Sequence, residues 1–205
     1  MNDAQGSPVR GRVRWRRFTA MLVVALAAAG AILFGMANGA IAAAFTVSGT
    51  TFEVSADQLT GYGFVQYGGF STDKAGTKHP VAVSGIKSAE LTNLCQSVLV
   101  PNTTISLVIR AGQDKDHPAT ATDLLIDMTQ LSGDATFTKI NIGQDASSLD
   151  KGPDGAVGAP GGFGQQADKV VITGLRQVAW STSAGTFTLN GLDLHVSLSG
   201  EQCFT

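Results

Sequence analysis

The chain has 205 residues, of which 43% are hydrophobic, 15% charged and 7% aromatic, with 25 glycines against six prolines and a formal net charge of −2. This composition excludes a disordered tail, a collagen-like repeat and a small disulfide scaffold. Charge is placed unevenly: Arg10, Arg12, Arg14, Arg16 and Arg17 are opposed by Asp3 alone, whereas the chain from Phe45 onward carries a net −6 and offers no basic patch for nucleic acid.

Residues 1–17 read as an Arg-rich cytoplasmic head. Residues 18–44 then run without a charge, and Met21–Phe34 is almost continuously apolar, long enough to cross a bilayer as a helix of about 20 residues. Positive flanks stay on the cytoplasmic side, so the five arginines orient this segment with residues 45–205 outside. The same stretch fits the grammar of a signal peptide, with Ala42-Ala43-Ala44 as a small-residue cleavage site. Two fates therefore stay open: a transmembrane or signal-anchor helix that keeps an extracytoplasmic domain on the cytoplasmic membrane, or cleavage near Ala44 and secretion. The lipid bilayer is the expected partner in the first.

Cys95 and Cys203 are the only cysteines, and both fall in the exported part. Oxidising compartments favour disulfides, so one bond is expected, closing a loop of more than a hundred residues.

Residues 45–205 suffice for one domain with a substantial core. Period-two alternation recurs at Ile105, Leu107 and Ile109; at Leu124, Ile126 and Met128; at Ile140 and Ile142; and at Leu192, Leu194, Val196 and Leu198. Each run predicts a strand with one wet face. Between Val47 and Phe52 the alternation changes phase, which a bulge or turn at Gly49 would accommodate. Asn190-Gly191 predicts a two-residue hairpin turn that sets Leu189 opposite Leu192 and Phe187 opposite Leu194. Helical periodicity is weak. The expected fold is mainly β: a single exported antiparallel domain, sandwich or open β-roll, preceded by one hydrophobic helix. Related segments beginning at Ala56, Ala89 and Met128 hint at a repeat of uneven spacing. Residues 145–168 hold six glycines and two prolines and read as a mobile loop.

No Gly-x-Ser-x-Gly elbow is present: Gly69-Phe70-Ser71-Thr72-Asp73 fails at its last position and Ser181-Thr182-Ser183-Ala184-Gly185 at its first. His79, His117 and His195 have no Ser or Cys partner at a defined spacing and read as surface histidines. Asp114-Lys115-Asp116-His117 lacks a complete ligand set and reads as a polar turn, so neither a metal nor a cofactor is expected. Asn102-Thr103-Thr104 forms a glycosylation sequon. The strip Gly61–Phe70 gathers Tyr62, Phe64, Tyr67 and Phe70 among glycines, and is the candidate surface for an apolar ligand.

The order of Arg-rich head, Ala-rich apolar run, Phe45-Thr-Val-Ser-Gly, Ala56-Asp-Gln-Leu-Thr-Gly-Tyr-Gly, Ala89-Glu-Leu-Thr-Asn-Leu-Cys-Gln and late Cys203 resembles an actinobacterial membrane-targeted family of unknown function, some members of which carry the label cholesterol esterase. The resemblance spans nearly the whole chain, and its motifs are structural rather than catalytic. It implies a cell-envelope protein with a small β domain, acting beside a multi-pass membrane protein. The functional expectation is a non-enzymatic envelope protein that binds an apolar small molecule or a neighbouring envelope protein. An exported lipid-ester hydrolase and a self-associating structural surface module are the alternatives.

Overall fold

The computed structural model describes Trp15 and residues 50–204. The Arg-rich head, the apolar run and the phase change at Gly49 lie outside the described residues. No helix among the described residues is long and apolar enough to cross a membrane.

Residues 50–204 form nine antiparallel strands and no α-helix: β1 (Phe52–Thr72), β2 (Lys78–Thr92), β3 (Leu94–Leu99), β4 (Ser106–Ala111), β5 (Ala119–Thr138), β6 (Asn141–Asp145), β7 (Phe163–Ser183), β8 (Thr186–Thr188) and β9 (Asp193–Ser197). The sheet runs β6-β7-β5-β2-β1-β3-β4-β9, with β8 on β5, and β7 also pairs with β1. Strands β1, β2, β5 and β7 therefore pair in a closed circuit, which removes the open edges that four such long strands would otherwise expose. The mainly antiparallel β architecture of these residues is the one the alternation predicts. The look-alike segments at Ala56 and Ala89 are neighbours in it, with Leu59 opposite Leu91.

The circuit encloses one apolar cluster that includes Phe52, Leu59, Phe64, Ile86, Leu124 and Leu175. Long strands wrap this cluster because their pleat is reset at left-handed residues. Gly63 has φ +69°, so Tyr62 is exposed while Phe64, two residues on, is buried. A Cβ on Gly63 would stand 2.6 Å from the Lys151 carbonyl oxygen. Asp123, at φ +48°, does the same on β5: odd-numbered Ala119 and Ala121 are buried before it, even-numbered Leu124, Ile126 and Met128 after it.

Three expectations are corrected. Asn190-Gly191 does turn, but β8 pairs with β5 and β9 with β4, so Phe187 and Leu194 sit on different partners. Only Gly191 has positive φ, whereas a type I′ turn needs it at both positions. The turn is anchored elsewhere: Asn190 Nδ2 donates to the Pro118 carbonyl at 2.9 Å, and the Asn190 carbonyl accepts from Gly112 N at 2.7 Å.

The Gly-rich segment is also not a structureless loop. It includes a single 3-10 turn, Ala146–Ser148, and it buries Leu149 and Ala156 against Val65. The buried Gln166 fixes it, its Oε1 accepting from Asp150 N and Lys151 N. Lys151 Nζ pairs with Asp168 at 2.7 Å. The third correction is the face of β9. Leu192, Leu194, Val196 and Leu198 are 54%, 55%, 60% and 74% exposed, while Ser197 is buried and His195 half-buried.

Candidate functional site: two apolar surfaces

The aromatic strip divides among three environments. Phe64 joins the core, with its ring 5.4 Å from that of Phe137. Tyr62 stands outside, under the Lys169 ammonium at 5.2 Å. Tyr67 and Phe70 alone share a surface cleft of about 500 Å³, with Pro80, Val81, Val157 and Ala159 completing its walls. Burial, followed by the nearby Asp127 carboxylate, raises the Tyr67 pKa above its usual value. The phenol is therefore neutral throughout the physiological range. Inside the strand circuit, the space lined by Leu59, Leu94, Leu124, Gln177 and Thr182 measures about 20 Å³, enough for one water.

The second surface lies at the opposite end of β1. Register places Val54, Gln96, Ile109 and Leu194 side by side, and next to them Val98, Leu107 and Val196. Opposed residues of an antiparallel pair share a face. Val54 belongs to the enclosed core, so the inner face of the sheet continues outward along β3, β4 and β9, beyond the closed circuit. On this extension Gln96, Val98, Leu107 and Ile109 are half-buried, Leu194 and Val196 are exposed, and none of these positions is ionisable.

The other face of the same extension is polar and covered. Cys95 is joined to Cys203 with a Cα–Cα distance of 5.7 Å across 108 positions, as the two-cysteine argument predicts. The disulfide holds the carboxyl-terminal tail against β3 and β4. Cys203 N donates to Ser97 Oγ at 2.9 Å, Phe204 N to Glu53 Oε2 at 3.1 Å, and Ser106 Oγ to the Glu201 carbonyl at 2.6 Å. The Glu201 carboxylate receives Arg110 at 2.9 Å and meets His195 Nε2 at 3.2 Å. Arg110 first, then His195, lowers the Glu201 pKa; Glu201 first, then Asp193, raises that of His195.

The histidines pair with carboxylates. His117 Nδ1 meets Asp114 at 2.9 Å in an exposed turn. His79 Nε2 meets Asp73 at 3.2 Å, and its ring stacks on Trp180 at 3.9 Å. Ser71 is the register partner of His79, a juxtaposition that motif reading alone misses because it arises from strand pairing. Ser183 pairs with Leu125 instead. Among the described residues no group of three or more His, Cys, Asp or Glu side chains could hold a metal ion. Arg10, Arg12, Arg14, Arg16 and Arg17 lie outside the described residues.

Fold and surfaces together define an antiparallel β domain with a filled core, one disulfide and two apolar outer surfaces. Residues 48–204 match DUF6230, a family of unknown function, and the chain belongs to that family. No curated protein and no solved structure matches the chain.

Proposed function

We propose that this chain is an exported, non-enzymatic protein of the cell envelope, held at or released from the outer face of the cytoplasmic membrane, whose β domain binds an apolar small molecule or a neighbouring envelope protein. The observation that carries the reading is the Tyr67–Phe70 cleft, in which two aromatic rings and the apolar side chains of Pro80, Val81, Val157 and Ala159 converge on an accessible space of the size small-molecule sites take. The resemblance to an actinobacterial envelope family, with its multi-pass membrane neighbour, supports the same reading. Lipid extraction and mass spectrometry on protein purified without detergent test it. A bound apolar molecule that is lost from Phe70→Ala, with the fold intact, is the expected result. Protein that carries none, and that takes up none from vesicles, would overturn the ligand arm.

One observation favours a second reading, an exported lipid-ester hydrolase of the kind the cholesterol esterase label names. Ser71 faces His79 across β1 and β2, and His79 meets Asp73. Against it, the Nε2 atom that would receive a serine proton already engages the carboxylate, and Trp180 covers the ring. Short- and long-chain acyl esters should therefore not be turned over. Turnover abolished by Ser71→Ala would replace the binding reading with this one.

A further inference from the structure

We infer that the exposed aliphatic face of β9, bordered by the half-buried Leu107 and Ile109 of β4, rests on the lipid bilayer surface, as a second attachment beside the apolar run 18–44; this rests on the reading that the run stays in the membrane. The observation behind it is an inverted strand. In β9 the aliphatic Leu194 and Val196 stand in water, while on the opposite, tail-covered face Ser197 is buried and His195 meets Glu201. A solvated sheet face ordinarily alternates the other way. Leu192, Leu194, Val196 and Leu198 are exposed, and Leu194 and Val196 border the half-buried Ile109 and Leu107 on β4, giving an uncharged patch. Contiguous exposed apolar surface of this kind marks an interaction site.

Chain geometry identifies the occupant. Only the seven residues Phe45–Thr51 separate the apolar run from β1, and seven residues fully extended span at most about 25 Å. In the neighbourhood of Glu53 on β1, strands β3, β4 and β9 follow as successive partners, three steps of about 4.8 Å each. The patch thus lies roughly 14 Å across the sheet from the point where the tether enters. With the run anchored, a bilayer is an apolar phase within reach of that patch at every moment, and the tether supplies a high effective concentration. An uncharged aliphatic surface gains by leaving water for the acyl boundary and has no buried charge to oppose it. The Tyr67–Phe70 cleft, near the carboxyl end of β1, then stays turned away from this contact and open to a ligand.

The test uses the full chain reconstituted into nanodiscs of phosphatidylethanolamine and phosphatidylglycerol, with a trace of lipid carrying a nitroxide in its acyl chain. Methyl NMR signals are read by residue. The expected result is selective broadening of Leu192, Leu194, Val196 and Leu198, severalfold beyond that of the exposed Leu131 and Ile142. The double variant Leu194→Asn/Val196→Asn, altered only at exposed positions, should lose the broadening while keeping the wild-type thermal midpoint. A chain found in the disc fraction with no selective broadening overturns the inference and leaves anchoring intact. A chain that does not enter the discs overturns the anchoring reading and the inference with it. Protected methyls together with a dimer mass by light scattering give the patch to a second copy and likewise overturn it.

Discussion

Removing the disulfide is the perturbation whose magnitude the structure constrains best. Cys95→Ala/Cys203→Ala deletes a cross-link spanning 108 positions while leaving a small apolar side chain at the buried Cys95 site. In the chain-entropy treatment a closed loop of about 100 residues contributes about 4.7 kcal/mol at 25 °C, all of it through the unfolded chain. Some of this is offset, because the tail keeps its donors to Ser97, Glu53 and the Arg110–Glu201 pair. Each such polar contact is worth only about 1 kcal/mol net, so the contacts hold the tail weakly once it is free. The expected loss is about 2–5 kcal/mol, the range typical of removing a native disulfide from a small domain. That is a large share of a typical total stability of about 5–15 kcal/mol. Urea unfolding of oxidised and double-variant protein measures it. Because the open chain exposes more surface when unfolded, the slope against denaturant should rise as the midpoint falls. A loss below about 1 kcal/mol with an unchanged slope would refute the argument. It would mean that the cross-link restrains nothing in the unfolded chain.

Gly63→Ala should cost about 2–4 kcal/mol in the same assay, from left-handed strain plus the approach of its Cβ to the Lys151 carbonyl; an unchanged midpoint would contradict the pleat reset. Leu175→Ala, 1% exposed in the core, should cost about 2–5 kcal/mol, and a loss under half the lower figure would show a core able to collapse onto the gap. Thr182→Val removes a buried hydroxyl without a protein hydrogen-bond partner among the described residues and should leave stability unchanged or raise it by about 1 kcal/mol; a clear loss by calorimetry would assign that oxygen a water in the space it lines. For pH, His195 is raised above 6.5 and Glu201 lowered below 4.5. The histidine contribution is full below 6.5 and disappears as pH rises through the raised folded value. The carboxylate contribution is present above 4.5 and disappears as pH falls through the lowered one. Tail docking is thus strongest between those limits. NMR titration of His195 should move back toward 6.5 in Glu201→Gln, and a titration that does not move would break the assignment.

The legible parts of the sequence were those where alternation keeps its phase. Ile105–Ile109, Leu124–Met128 and Ile140–Ile142 fall within or at the start of β4, β5 and β6. Strand β7 escapes such reading, although it is as long as β1. From Val170 onward its buried positions run Val170 and Ile172, then Leu175, Gln177 and Ala179, with the change of parity at Gly174, whose φ is +64°. A period-two search sees two short fragments there. The Gly-rich segment was opaque for a related reason: its order depends on Gln166, Val65 and Asp168, residues of other elements. Composition records the glycines and not the partners. The aromatic strip was legible as a cluster but not as a surface, because the left-handed Gly63 sends Phe64 inward.

The alternation in β9 identified a strand correctly and its wet face wrongly, and the reason lies in the disulfide. Cys95 and Ser97 share one side of β3, and the bond to Cys203 brings the tail over that side. Glu53, Arg110, His195 and Ser197 point the same way, and the tail's backbone and the Glu201 carboxylate satisfy most of them. The alternate positions, Gln96, Ile109, Leu194 and their neighbours, are the inner face of the sheet carried past the point where the circuit of long strands closes over it. A short carboxyl-terminal segment can cover only one side. Since it covers the side lined with polar groups, the uncovered side is the aliphatic one. Placing polar side chains at Leu194 and Val196 would have solvated the extension at no cost to the enclosed core, because those positions lie outside it. That their aliphatic character is not required by the fold is the physical reason to look for what they meet outside it.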